Sequence, residues 1–309
     1  MAQKIIIDTD PGQDDAVAIL LALASREIDL LGITAVAGNV PLDLTQRNAR
    51  QVVELAGRVT PVFAGCDAPL ARPLVTAEHV HGKTGLDGIA LPEPGLPLQS
   101  QHGVDFIIET LRREAPDSVT LCALGPLTNI ATAFERAPDI VERVQRIVLM
   151  GGGCFEGGNI TPAAEFNIYV DPEAAKIVFG CGRPITVLPL DATHKALTSR
   201  DWIATMRGMG RIGEVVASWT DFFERFDVAK YGSEGAPLHD PCVIAWLLRP
   251  ELFKGREINV EIETGSELTL GMTVADWWGV TDRPANALFI GDVDRDGFFD
   301  LLTERIGRL

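Results

Sequence analysis

Four aspartates, Asp8, Asp10, Asp14 and Asp15, fall within the stretch IIIDTDPGQDDAVAILLALA (residues 5–24), and no lysine or arginine stands between Lys4 and Arg26 to offset them. KIIID reads as a buried strand whose C-terminal end carries Asp8 and Asp10. In open α/β sheets the ligand crevice lies just beyond such strand ends. Pro11 suits a first helical turn with Asp10 as the cap before it, which accounts for one carboxylate at about 0.3–1 kcal/mol and leaves the others unexplained. Asp10 and Asp14, four apart, repel on a helix face, and an unpaired cluster half removed from water protonates or destabilises the turn. A hard cation resolves that conflict. Calcium takes roughly six to eight oxygen ligands in irregular geometry, whereas magnesium keeps more of its waters. The segment favours a metal site over capping alone.

PLHDPCVIAWLL repeats the pattern, with Asp240 before Pro241 at the start of a helix and His239 beside it. Capping explains the aspartate by itself, but a histidine next to a metal-binding carboxylate is also placed to move a proton near neutral pH. In MGGGCFEGGNITPAAEFNIYVDPEAAKIV (150–178) a strand end enters a glycine-rich loop that presents Asn159, Glu165 and Asn167. Amide and carboxylate groups suit vicinal hydroxyls, so these three are read as ligand contacts. Asp171, before Pro172, is read as a helix cap.

These residues need a scaffold, and the pattern around them is βαβ. KIIID, LLGITAVAG, VTLCALG, RIVLMGGG and PITVLPLD read as strands. Helices are expected over 12–24, 42–56, 126–136, 171–179, 199–208, 212–228 and 240–249. EINVEIE, LTLGMTVAD and ALFIGDV read as late strands near the sheet edge, before a closing helix GFFDLLTERIG. The proline- and glycine-rich segments 91–98 and 232–241 read as surface loops over an active site rather than linkers. A chain of 309 residues with 46% hydrophobic and 23% charged residues is expected to form one domain.

A net charge of −16 argues against nucleic acid and anionic lipid as partners. The longest apolar run, AVAILLALA, is too short to span a membrane, and MAQKIIIDTD does not read as a signal peptide. Cys66, Cys122, Cys154, Cys181 and Cys242 are scattered without a CxxC pair, as expected of reduced thiols in the cytoplasm.

Taken in order, DTDPGQDDAVAI, TAVAGNV, HGKTGLDG, ALGPLTNIA, MGGG, GNITPAAEFNIYVDPEAA and LHDP resemble the nucleoside hydrolases of the inosine-uridine preferring type, over nearly the whole chain. The resemblance implies a single α/β domain over residues 1–309, an open, mostly parallel but mixed sheet flanked by helices in the Rossmann-like nucleoside hydrolase fold. It also implies cleavage of the N-glycosidic bond of ribonucleosides by water, giving free base and ribose, with a tightly held calcium ion. Carried onto this sequence, calcium is held by Asp10, Asp15, Asp240 and the main-chain carbonyl of Leu124. Asp14, Asn159, Glu165, Asn167 and Asp240 bind the ribose hydroxyls, with Asn39 and Met150 lining the sugar pocket. Asp10 is the general base toward a calcium-bound water, and His239 assists the leaving base. Asp8 buttresses the turn.

The same resemblance puts His81 on a mobile loop over the base, with His79 the weaker candidate, and Phe226 and Tyr231 in the segment that caps the base pocket in relatives, where they either stack on the base or pack as ordinary helix residues. His102 and His194 have no motif around them and read as structural. Purine-specific relatives grip the base between tryptophans; here Trp202, Trp219, Trp246, Trp277 and Trp278 lie outside the site motifs and read as core or interface residues. That favours a pyrimidine-preferring or a broad inosine-uridine enzyme. Relatives of this kind are homo-oligomers, dimers or tetramers.

Two other enzyme or binding classes share pieces of the pattern. IIIDTDPG with IGDVDRD (290–296) resembles the acidic motifs of haloacid dehalogenase-type magnesium phosphatases, with Asp8 as nucleophile, but leaves Asp14, Asp15, GNITPAAEFN and LHDP without a role. DVDRDGFFDLLTE places aspartates as in a calcium-binding EF-hand loop, yet its twelfth position is Thr303, so a strand end entering a helix is the better account. A catalytically silent nucleoside or ribose binder is the remaining alternative.

Overall fold

The computed structural model describes residues 2–232 and 235–309, with the side chains of 227–231 outside the description. In chain order the elements are β1 (Gln3–Thr9), α1 (Gln13–Ala24), β2 (Ile28–Ala35), α2 (Leu42–Leu55), β3 (Val62–Ala64), α3 (Glu78–His81), α4 (Gly103–Arg113), β4 (Val119–Ala123) and α5 (Thr128–Arg136). There follow β5 (Val144–Met150), α6 (Phe166–Val170), α7 (Pro172–Phe179), β6 (Ile185–Leu188), α8 (Leu190–Thr193), α9 (Arg200–Arg207), α10 (Gly210–Tyr231) and α11 (Pro241–Leu248). The chain closes with β7 (Phe253–Ile258), β8 (Val260–Ile262), β9 (Thr273–Ala275), β10 (Ala287–Val293) and α12 (Arg295–Ile306).

Eight strands form one sheet in the order β3-β2-β1-β4-β5-β6-β10-β7, parallel except where β7 runs against β10. This is the expected mixed, mostly parallel sheet. The order runs outward from β1 in one direction and from β4 in the other, so adjacent strands β1 and β4 form a topological switch point, where loops leave toward opposite faces and open a crevice. Successive residues of β1 face opposite layers: Ile5 and Ile7 pack with α1, α11 and α12, and Ile6 with α4, α5 and α7. Helix α1 sits inside the first layer, buried along nearly its whole length, which is why AVAILLALA carries no polar face.

Several expectations are corrected. Helix α1 starts at Gln13 with Gly12 as its N-cap, and Asp15 reaches back to accept from Gly12 N at 2.9 Å, so Asp10 is not the cap. The late runs divide: Val260–Ile262 and Thr273–Ala275 leave the sheet as a separate antiparallel ribbon, Phe253–Ile258 takes the edge, and β10 lies one strand inside it. Segment 91–98 is not over the site; Arg50 and Gln51 of α2 donate to Leu96, Leu91 and Pro92 carbonyls and strap it along that helix. Helix α4, with Phe106, Ile107 and Leu111 inward, and strand β3 have no counterpart in the elements expected from sequence. Asp171 does cap α7, accepting from Ala174 N at 3.0 Å, and β10 does run into α12, where Asp294 accepts from Gly297 N.

Candidate active site

At the C-terminal ends of β1, β2, β4 and β5 lies a cleft open to solvent. Asp14, Asn39, His81, Leu124, Met150, Asn159, Glu165, Asn167, His239 and Asp240 all line it. Asp10 and Asp15 lie fully buried just beneath the lining. Residues from both ends of the chain thus meet because α11, which follows Asp240, packs against α1.

Asp14, Asp15 and Asp240 bring carboxylate oxygens within 4.8 Å of one another, all buried. Asp10 adjoins them: its carboxyl is raised well above the ordinary value first by burial and then by the charge of Asp15. Burial, then the charge of Asp14, does the same to Asp240; burial with Asp15 lifts Asp14 to about 7; burial also raises Asp15. Among the described residues, no lysine or arginine pairs with any of the four.

The local structure aims these groups. Asp10 Oδ2 accepts from Asn39 N at 2.7 Å, while Oδ1 is buried without a protein donor. Gly38 and Gly125 press on the same carboxylate, and a Cβ on either would overlap it. Asp15 accepts from the Thr9 hydroxyl as well as Gly12 N. Asp240 stands at the N-cap position of α11 but makes no side-chain cap bond, so capping does not explain it. Oxygen-only donors, net negative charge, a donorless buried oxygen on Asp10 and an uncapped Asp240 together fit a hard divalent cation.

Beside the carboxylates, Glu165 caps α6, accepting from Gly152 N at 3.0 Å, Asn167 N at 3.0 Å and Ile168 N at 3.3 Å; burial nonetheless lifts its carboxyl to about 7. Asn167 Nδ2 donates to the Leu124 carbonyl at 2.6 Å and the Met150 carbonyl at 3.2 Å, which turns its amide oxygen away from both. Asn159 Oδ1 accepts from Phe166 N at 2.9 Å. These three therefore shape the loop and line the cleft at once.

The opposite wall is aromatic. His81 stacks on Phe223 at 5.5 Å, Phe223 meets His239 edge-on at 6.4 Å, and His79 meets Phe226 at 5.6 Å. His239 Nδ1 lies 2.7 Å from the Thr193 hydroxyl, and burial, then His194 and His81, hold its pKa well below the ordinary value. His81 is carried on the helical turn α3 rather than on a loop. The side chain of Tyr231 lies outside the described residues.

Ala77, Val80, Ile160, Phe166, His194 and Phe223 line the cleft and escape sequence reasoning. His194, read as structural, lines the cleft with its ring 5.6 Å from that of His239. Phe223 precedes Phe226 by three positions on α10, a spacing that puts both on one face and was the signal available. His102 is structural, its Nδ1 accepting from Val104 N at the start of α4. Trp202, Trp219 and Trp246 are core residues, whereas Trp278 is 70% exposed; no tryptophan is among the residues lining the cleft. Asp8 lies off the cleft, its Oδ1 accepting from Thr34 and from Asn129 at 2.7 Å, a buttress between β1, β2 and α5.

Comparison with known proteins agrees with this geometry. Residues 5–300 match the family described as inosine-uridine preferring nucleoside hydrolase. An uncharacterised protein of Schizosaccharomyces pombe is 54% identical over 308 residues, covering 99% of both chains. The pyrimidine-specific ribonucleoside hydrolase RihA of Photobacterium profundum is 49% identical over 309 residues, again covering 99% of each. Among solved structures, the purine-preferring ribonucleoside hydrolase from Gardnerella vaginalis superposes with a TM-score of 0.92 at 31% identity, covering 99% of this chain and 98% of its own.

Proposed function

The chain belongs to the inosine-uridine preferring nucleoside hydrolases, enzymes that hydrolyse ribonucleosides, and on that footing we propose that it is a calcium-dependent hydrolase preferring pyrimidine ribonucleosides, uridine and cytidine. The observation that carries the metal reading is the convergence of Asp14, Asp15 and Asp240 from opposite ends of the chain at a cleft lined by amide and carboxylate side chains. Phosphatase chemistry at Asp8 has no support, because Asp8 is not among the residues lining the cleft and its Oδ1 is held by Thr34 and Asn129.

Asp10, Asp15, Asp240 and the Leu124 carbonyl would hold the ion, with Asp14 close to it. Calcium bound there supplies positive charge that acidifies water and orients vicinal hydroxyls. The protein's own groups do the rest. Asp14, Asn159, Glu165, Asn167 and Asp240 hold the ribose hydroxyls, with Asn39 and Met150 beside them. Asp10 accepts the proton of the attacking water through Oδ1, the oxygen that no protein donor engages. Cleavage leaves an oxocarbenium-like ribosyl group, and the surrounding carboxylates and carbonyls stabilise its charge. His239, steadied by Thr193, donates a hydrogen bond to the departing base.

Base preference follows the wall over the sugar. It is built from phenylalanine and histidine without tryptophan, and the relative with 49% identity is named pyrimidine-specific, against 31% for the purine-preferring one. One domain is supported by the single eight-stranded sheet, which draws on residues 3–293. A homo-oligomer is supported by the neighbouring exposed rings of Phe155 and Trp278, which a second copy would cover. Free cysteines at all five positions suit the cytoplasm, and no described helix is long and apolar enough to cross a membrane.

The test is release of reducing sugar from uridine, cytidine, inosine, adenosine and guanosine, with and without a strong chelator. Turnover of uridine and cytidine above the purines, lost on chelation and restored by calcium, is the expected result. Undiminished turnover in protein shown by elemental analysis to be metal-free overturns the calcium reading. Faster turnover of inosine or guanosine overturns the base preference.

A further inference from the structure

Gln13 stands inside the acidic turn, 2% exposed, where the chemistry above gives it nothing to do. Its carboxamide leaves the carboxylate cluster and crosses to α3. Nε2 donates to the His81 carbonyl at 2.9 Å and the Asp87 carbonyl at 3.0 Å. Carbonyls only accept, so the end of the amide facing them is the NH2 group. The amide oxygen is thereby fixed on the other side, 2.7 Å from His81 Nδ1. That oxygen cannot donate, so Nδ1 carries the proton.

The ring has only that one proton. Burial, helped by His79, holds the His81 pKa at about 3, so the imidazole is neutral near pH 7. Nε2 is left as a lone-pair acceptor, with no bond to it among the described residues, on a ring that lines the cleft and stacks on Phe223. Gly12 lets the ring sit this close to α1, since a Cβ there would overlap Nδ1. Helix α3 is held by the same amide.

We propose that Gln13 is a positioning residue that fixes His81 as a hydrogen-bond acceptor in the cleft, so that the site selects a ligand presenting an O–H or N–H donor at that point. His81 is therefore not the proton donor to the leaving base. The activity part of this inference rests on the ribonucleoside hydrolase reading; the tautomer part does not. Uridine offers two such donors away from the carboxylates, the ribose 5′-hydroxyl and the uracil N3–H, and cytidine offers its N4 amino group in place of the latter.

The tautomer is read by NMR of the whole protein labelled with 15N-histidine, with calcium present at pH 7, His81 being assigned from His81→Phe. The expected spectrum has the His81 proton on Nδ1, with redistribution toward Nε2 in Gln13→Met, which keeps side-chain length and removes the amide. A proton on Nε2 in the wild type, or an unchanged Nδ1–H form in Gln13→Met, overturns the proposal. Should Gln13→Met not fold, the wild-type spectrum alone decides the first point. For selectivity, 5′-deoxyuridine and 3-methyluridine each remove one donor. One of them is expected to raise KM roughly tenfold over uridine in the wild type, the size of one lost hydrogen bond, and that difference is expected to vanish in His81→Phe. Discrimination that persists unchanged in His81→Phe, or none in the wild type, overturns it, and the analogue affected identifies the donor.

Discussion

Replacing Asp14 by asparagine should have opposite effects on stability and on catalysis, because the two depend on opposite states of the carboxylate cluster. Without a cation, Asp14 shares its surroundings with Asp15 and Asp240 at no more than 4.8 Å. One such pair repels by about 3.5 kcal/mol at an effective dielectric constant near 20. The rise of the Asp14 carboxyl from 3.8 to about 7, from burial first and Asp15 second, gives an independent figure. At about 1.4 kcal/mol per pH unit it corresponds to about 4 kcal/mol. The sign follows from linkage. A carboxyl whose folded pKa is raised costs nothing below pH 3.8, where it is protonated in both states, and its cost grows until the pH passes about 7. At pH 7 and above the metal-free protein bears nearly all of it.

Asparagine removes the charge and keeps the shape, and the helix entry is untouched because Asp15, not Asp14, bonds to Gly12 N. In excess chelator at pH 7.5, Asp14→Asn is therefore expected to melt up to about 6 °C higher than wild type, at about 1.5 °C per kcal/mol for 309 residues. At pH 4 the difference should shrink toward zero. Calcium at a hundred to a thousand times its Kd should raise the wild-type Tm by about 4–6 °C, and the variant by less than half of that. Sugar release by the variant should fall at least a hundredfold. Scanning calorimetry of both proteins, with chelator and with calcium, reads every term. A variant that melts 2 °C or more below wild type in chelator, or a wild type whose Tm calcium does not move, refutes the reasoning.

Gly125→Ala would drive a methyl group into Asp10; overpacking of about 1–3 kcal/mol should lower Tm by a few degrees and abolish measurable ribose release, and a fully active variant would mean that Asp10 has room to move. Thr193→Val keeps shape and removes the hydroxyl that meets His239 Nδ1 at 2.7 Å; steady-state kinetics should show kcat down about tenfold, the size of one hydrogen bond, with KM little changed. Asn129→Ala cuts buried bonds to Asp8, to the Ala35 carbonyl and from Cys66 N; denaturant melts should show a loss of about 3 kcal/mol or more, with calcium affinity retained because none of these bonds reaches the cluster.

What was legible in the sequence were features enforced locally. The alternation of apolar strands with helices announces a parallel sheet, and Asp171 before Pro172 caps its helix as that pair of residues should. Features set by distant partners were not legible. VDFIIETLRR forms α4 against the back of the sheet, where the sequence between helix 42–56 and strand VTLCALG predicts no element. EINVEIE looks continuous but splits at Asn259, where the chain leaves the sheet edge for the ribbon with β9. Helix α3 is one turn long, too short to show a period, and its place is held by Gln13 from across the cleft. His194 enters the wall only because α8 ends beside His239, a proximity that no spacing along the chain encodes.

The site motifs are also less independent than their separation along the chain suggests. AVAGNV and ALGPLT both place a glycine against Asp10, and neither Gly38 nor Gly125 needs a left-handed backbone; each is required by close approach alone. Asn39, next to one of them, supplies the main-chain bond to Asp10 Oδ2, and Leu124, next to the other, turns its carbonyl to Asn167. DTDPG, AVAGN and ALGPL are thus three views of one packing requirement at the switch point between β1 and β4: a carboxylate must sit between two loops, held by one oxygen with the other left for chemistry. Asp171, a helix cap, has donors on both oxygens, from Leu70 N, Thr128 and Ala174 N, whereas Asp8, the buttress off the cleft, leaves Oδ2 without a donor as Asp10 leaves Oδ1. Asp10 differs from Asp8 in its place, since its carboxylate adjoins Asp15 beneath the cleft, and a donorless oxygen in that position marks the turn as a reaction centre rather than a cap.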